Sequence, residues 1–412
     1  MIRFILADLR RLWAGAFTVS LLVALAVGLG VGVTLVERGL RLGSARAAAK
    51  FDLVVGAPGS ATQLVLSSVF LDPAPLPLVP GAVLARLAAD PRVAWASPVG
   101  FGDSVGGSPV VGVTPTLIAE TARGFAAGRT FAAEGEAVAG AAAPVALGET
   151  LTPTHGLAGA GGHRHTDVAY TVVGRLAPTG TAWDTAILVP IQAVWHVHGL
   201  GGHHDEHEEH DDHDAHAPHG GFDADAPLDA DWDEAPGVPA ILVKPKSVAD
   251  AYTLRRDYRD GGTLAVFPAE VLTALYATLG DARAVLAAIA AGAQALVAAA
   301  LVLVAVVHVG QRRRQIGALR AFGAPRGAVF ALVWGELMAL VVVGLALGHA
   351  LGYAAARGLA ARFAAERGVS LPVAFAPADA AVALALLAAA AAFAAIPAWR
   401  AFRAPPVEAL RD

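Results

Sequence analysis

Four stretches of this chain are too long, too apolar and too free of charge to be ordinary surface helices. Between Arg11 and Glu37 no residue is charged, and the run AFTVSLLVALAVGLGVGVTLV lies inside that gap. A helix needs about 20 such residues to cross the hydrocarbon core of a bilayer. Residues 284–310 are again uncharged, a third run at 329–356 is broken only by Glu336 and His349, and a fourth at 380–399 is bounded by Asp379 and Arg400. A signal peptide is the alternative for the first run, but its apolar region is normally only about 7–15 residues long. The expectation is an uncleaved span at 12–36 and further spans at 284–310, 329–356 and 380–399. Composition agrees, since only 16% of residues are charged against about 25% in soluble domains.

Charge orients the spans. The segment 311–328 contains Arg312, Arg313, Arg314, Arg320 and Arg326 and no acid; residues 1–11 contain Arg3, Arg10 and Arg11, and residues 400–412 contain Arg400, Arg403 and Arg411. The positive-inside rule places these three in the cytoplasm. Residues 37–283 are then expected outside, with 357–379 a short outer loop. Arg38, Arg41, Arg46 and Lys50 run against the rule.

The long excursion reads as an α/β domain. DLVVGA (52–57), VAWASPVGF (93–101), PVVGVTP (109–115), AYTVVGRL (169–176), TAILVP (185–190) and PAILVKP (239–245) are β-rich and bounded by Gly, Pro or Asp. Helical patterns fall near 80–89, 246–260 and 268–283. Residues 199–237 interrupt the pattern, and their polar, acidic composition predicts a disordered insertion.

Inside that insertion, GHHDEHEEHDDHDAHAPHG (202–220) holds His203, His204, His207, His210, His213, His216 and His219, half of the chain's 14 histidines. Neutral imidazole is a ligand for Zn²⁺ and other transition ions, and carboxylates can complete the shell. A three-residue spacing turns about 300° around a helix, so the pattern predicts a flexible chelating loop rather than one rigid site. A solvated linker is the bland alternative. His155, His163, His165, His196 and His198 are weaker candidates; His163-Arg-His165 and His196-Val-His198 would each face one way in a strand. His207-Glu-Glu-His210 has the wrong spacing for the H-E-x-x-H of zinc peptidases. Without cysteine no thiolate site or disulfide is possible. Nothing suggests a catalytic residue, a tightly bound cofactor or a nucleic-acid partner.

Two segments carry a signature: QRRRQIGALRAFGAPRGAVFALVWGELMAL (311–340) and AIPAWRAFRAPPVEALRD (395–412). Together with the layout they resemble the permease family that includes the macrolide exporter MacB, the lipoprotein-release permeases and the cell-division protein FtsX. Arg312, Arg313, Arg314, Ile316, Leu319, Arg320, Gly323 and Ala324 match its basic segment; Pro397, Arg400, Arg403, Pro406, Glu408, Ala409, Leu410 and Arg411 match its closing one. The chain departs from the pattern at Gln315, at Pro325 and in the histidine insertion. The resemblance implies an α-helical membrane protein with four transmembrane helices plus a large α/β extracytoplasmic domain of the periplasmic core type, inserted between helices 1 and 2. It implies a bacterial inner-membrane location, a homodimer, and two copies of a separate cytoplasmic ABC ATPase. The chain itself has no G-x-x-x-x-G-K-[ST] phosphate loop. Arg312, Arg313, Arg314, Ile316, Leu319, Arg320, Phe322 and Gly323 are the expected coupling residues, with the arginines also able to meet lipid phosphate.

Three functions are consistent with these readings. One is zinc or other transition-metal homeostasis, with a periplasmic metal-binding protein or lipoprotein as partner. The others are export or extraction of a lipoprotein or hydrophobic substrate, and signalling to a periplasmic partner.

Overall fold

A computed structural model describes residues 2–403 except 12, 73, 157–161, 163, 201–221, 229–231, 233–234, 260–261, 279–283, 286–287, 290, 293–294, 296–298 and 300–322. The chain divides into two compact units, residues 1–40, 279–360 and 372–412, and residues 41–278 and 361–371.

The first unit is helical. α1 is Ile2–Arg11 and α2 is Trp13–Ala48, whose last turns belong to the second unit. Among the described residues three helices are long and apolar enough to cross a membrane: α2, Arg326–Arg367 and the helix beginning at Pro377. The expected span at 284–310 lies largely outside the described residues. α2 has 36 residues and the helix Arg326–Arg367 has 42. At about 1.5 Å per residue both exceed the roughly 30 Å hydrocarbon core. Residues 357–367, expected in a loop, continue that helix because Ala, Leu, Arg and Glu are strong helix formers; the left-handed Gly368 (φ +70°) follows its end.

A glycine ladder packs two of these helices. Gly344, Gly348, Gly352 and Ala356 are buried at four-residue spacing along Arg326–Arg367. A β-carbon at Gly344 would stand 2.6 Å from Val23 Cβ, one at Gly348 2.7 Å from Val27 Cβ, and one at Gly352 2.6 Å from the Gly28 carbonyl. Small residues let membrane helices approach backbone to backbone. Elsewhere Val329, Val333 and Leu337 pack on Ala394 and Ala398 of the helix Pro377–Arg403, and Trp334 Nε1 donates to the Ala391 carbonyl at 3.0 Å.

The second unit is an α/β domain built on an 11-stranded sheet. In chain order its elements are β1 (Leu53–Gly56), α3 (Ala61–Val69), α4 (Gly81–Ala89), β2 (Val93–Val105), β3 (Ser108–Val113), α5 (Pro115–Thr121), β4 (Phe125–Gly128), β5 (Glu136–Ala139), β6 (Thr150–Leu151), β7 (Thr154–His155), β8 (Tyr170–Leu176), β9 (Ile187–Pro190), α6 (Ile191–Val197), β10 (Ala240–Pro245), α7 (Val248–Asp257), β11 (Leu264–Val266) and α8 (Pro268–Thr278). The strand order is β11-β1-β10-β2-β3-β9-β5-β8-β4, with β6 on β8 and β7 on β2. Most pairings are antiparallel; β3–β9 and β5–β8 are parallel. The two long helices of the first unit that follow α8 in this numbering are α9 (Arg326–Arg367) and α10 (Pro377–Arg403).

Both faces of the sheet are covered, so its central strands read as unbroken apolar runs. Leu53, Val55, Ile241 and Val243 join one core with Leu84, Leu87 and Trp195; Val54 and Leu242 join the other with Leu64, Val65 and Trp183. Period-two alternation sends neighbours to opposite cores.

The expected disorder of 199–237 does not extend through the described part of that segment. Ala133 bridges Pro227, Glu134 N donates to Ala226 O, and Gly135 N donates to Ala224 O. Phe222 meets Tyr170 edge to face at 5.8 Å between ring centroids, and Trp232 meets Trp195 at 6.0 Å. These aromatics bury apolar surface that the surrounding acids cannot, which anchors the acidic tail. Residues 201–221, with the seven clustered histidines, lie outside the described residues.

Candidate metal centre

Asp103, His155, His165 and His198 converge, one ligand atom from each lying within 4.8 Å of every other. Asp103 sits near the end of β2. The β2–β3 register shifts between Phe101 and Asp103, a bulge at Gly102 of the kind that re-aims a side chain. A β-carbon at Gly102 would lie 3.3 Å from His198 Nε2, so glycine makes room for the rings. β7 pairs His155 directly opposite Asp103. His165 follows the isolated bridge Thr154–Arg164. His198 caps α6, and its Nδ1 donates to the Val194 carbonyl at 2.8 Å. That bond turns Nε2 toward the cluster as the nitrogen that could hold a metal.

The distances suit a small ion. Asp103 Oδ1 is 3.3 Å from His155 Nδ1, 3.5 Å from His165 Nε2 and 3.3 Å from His198 Nε2; His198 Nε2 and His155 Nδ1 are 3.3 Å apart. Ligands about 2.0–2.1 Å from a tetrahedral zinc are separated by about 3.3–3.4 Å. The imidazoles are steeply inclined to one another, with centroids 5.3–6.0 Å apart. Three nitrogens and one carboxylate oxygen form a donor set that suits zinc and its neighbours over magnesium or calcium.

The carboxylate and the imidazoles shape one another's charge. Burial alone would push the Asp103 carboxyl up, but the hydrogen bond from His198 and the charges of the three histidines hold it below the usual carboxylate range. The same hydrogen bond raises His198, favouring a proton on Nε2 that a metal ion would have to displace. The carboxylate is thus ionised, as a ligand must be.

Among the described residues the structure separates His196 from the cluster. His196 and His198 are not in a strand but at the end of α6, and they diverge: His196 Nδ1 pairs with the buried Glu134 at 2.9 Å. A helix turns about 100° per residue, so residues two apart face nearly opposite ways. His163 and Arg312, Arg313, Arg314, Ile316, Leu319, Arg320 and Phe322 lie outside the described residues. Gly323 is in a turn at φ +92° just before α9, where a β-carbon would be strained. Asp103 was not among the sequence candidates. Its only signal was a lone acid beside the predicted strand 93–101, and its partner His155 is 52 residues away.

No curated protein matches the chain. The periplasmic region of MacB from Actinobacillus actinomycetemcomitans is similar at 9% identity, covering 55% of this chain and 95% of that one, with a TM-score of 0.34. The family model described as FtsX-like permease C-terminal matches residues 287–406. That stretch contains the basic segment and most of the closing segment, so the C-terminal region of the chain is similar to FtsX-like permeases.

Proposed function

We propose that this chain is the membrane subunit of an ABC-type complex that handles a divalent transition metal, with zinc the preferred ion. The Asp103–His155–His165–His198 cluster carries this reading. A separate cytoplasmic ATPase supplies the energy, and a homodimer of the chain passes its motion to the domain of residues 37–283 on the outer face of the bacterial inner membrane. Two features support this division of labour: the FtsX-like region and the lack of a phosphate loop in the sequence. The histidines of 203–219 serve as a collector of metal, and the cluster as the defined site.

The test is metal stoichiometry. Full-length protein in detergent, with 201–220 excised, is loaded with zinc, desalted and assayed for metal. One zinc per chain is expected, and Asp103→Ala with His198→Ala should abolish it. Equal zinc in parent and double variant would sink the assignment. Loss of cellular zinc on deleting the gene, rescued by the intact chain but not by the double variant, would extend it to the cell.

A further inference from the structure

The four side chains of the centre are unequally held. Those of Asp103, His165 and His198 are 4%, 8% and 20% exposed, whereas His155 is 55% exposed. Asp103 lies inside β2, flanked by β3 and β7. His165 is pinned by its N–H on the Pro153 carbonyl, and His198 by its N–H and ring on Val194. His155 stands on a two-residue strand, followed by Gly156 at φ +81°.

A pocket of about 830 Å³ opens beside it. Phe70, Leu71, Leu76 and Phe101 line it, and Asp103 and His155 bring the metal centre to its wall; His165 and His198 do not reach it. The centre therefore has one face against protein and one against the pocket. Six waters occupy only about 180 Å³ at their liquid volume, so the space far exceeds a hydrated ion. Its size and mixed lining are those of small-molecule sites.

We propose that His155 is the exchangeable ligand of this centre. The ion reaches and leaves it as the complex of a small organic chelator seated in the pocket, one of whose nitrogen or oxygen donors takes the place of His155. The metal–imidazole bond breaks as the metal–chelator bond forms, both lone pairs are conserved, and no oxidant is needed. This rests on the metal reading above.

The experiment uses the full chain in detergent with the seven histidines of 203–219 replaced by serine. Zinc-loaded protein is mixed with the chromophoric chelator pyridylazoresorcinol, and transfer is followed by absorbance. The rate should rise in proportion to chelator concentration. Ala74→Trp, which fills the pocket and removes no ligand, should slow transfer about tenfold. His155→Ala should still hold one zinc, because three protein ligands and a water suffice in open zinc sites, and should release it about tenfold faster. A rate independent of chelator concentration, or an unchanged rate in Ala74→Trp, would overturn the proposal. So would complete loss of zinc from His155→Ala. If the parent protein binds no zinc, the metal reading itself fails.

Discussion

Arg38 and Asp379 are joined by a two-armed ion pair, Nη1 to Oδ2 and Nη2 to Oδ1, both at 2.7 Å. The guanidinium fork matches the carboxylate, a geometry lysine cannot reproduce. Asp379 Oδ2 also accepts from the Ala376 N–H at 2.7 Å, and Arg38 donates to the Ala374 carbonyl. One basic residue that ran against the positive-inside rule is thus neutralised by the acid that opens the last span.

Both side chains are under 20% exposed, so breaking the pair strands a partly dehydrated charge. Asp379→Asn or Arg38→Lys should destabilise the protein by about 1–3 kcal/mol. The exchange Arg38→Asp with Asp379→Arg should recover part of that. Thermal unfolding in detergent checks it; additive single-variant effects with no recovery would refute the coupling.

Gly348→Leu should separate α2 from α9. A β-carbon there already meets Val27 Cβ at 2.7 Å and the Ala24 carbonyl at 2.8 Å, and overpacking costs about 1–3 kcal/mol. Gly358, whose β-carbon would meet nothing within 4 Å, is the control: Gly358→Leu should leave the melting temperature nearly unchanged.

Acid should weaken the α/β domain through Arg92, which bonds Asp90 and Asp257 at 2.7 and 2.8 Å. The hydrogen bond from Arg92 lowers both carboxyls. Their folded values lie below the unfolded ones, so this stabilisation is present above the unfolded value near 4 and disappears as pH falls through the folded values. The melting temperature of Arg92→Met should therefore fall less than that of the parent between pH 5 and pH 3.

Trp232→Ala together with Phe222→Ala should loosen the acidic tail from the domain. Both rings are partly buried and pack on the core residues Trp195 and Tyr170. The double variant should lose about 2–4 kcal/mol and become sensitive to proteases around 222–237. Protection equal to that of the parent would show that the backbone bonds from 134 and 135 hold the segment alone.

Much of the domain was legible in local pattern. Strands such as LVVG and AILVKP are apolar enough to be read without their partners, and helix α7 announces itself through the Ser247 cap on Asp250 N. The convergence of the cluster was not legible, because Asp103 and His155 meet through pairing of β7 with β2, His165 stands in irregular backbone and His198 arrives at the end of α6. His155, His165 and His198 were in view as weaker candidates; what no local pattern showed is that they converge on Asp103. The glycine ladder was hidden for a similar reason: glycines 344, 348 and 352 show their spacing, but not which helix they face.

The pairing of β1 with β10 has a temporal consequence. Leu53 finds Val243, and Val54 finds Leu242, roughly 190 residues downstream. At ribosomal rates of about 5–20 residues per second, that interval lasts about 10–40 s. Through it the nascent LVVG strand has neither of its sheet neighbours, since β11 is made later still. A half-made chain therefore carries an apolar strand unmatched on both sides while its first span is already available to the translocation machinery. Slower passage of the ribosome through residues 53–266 lengthens that exposure.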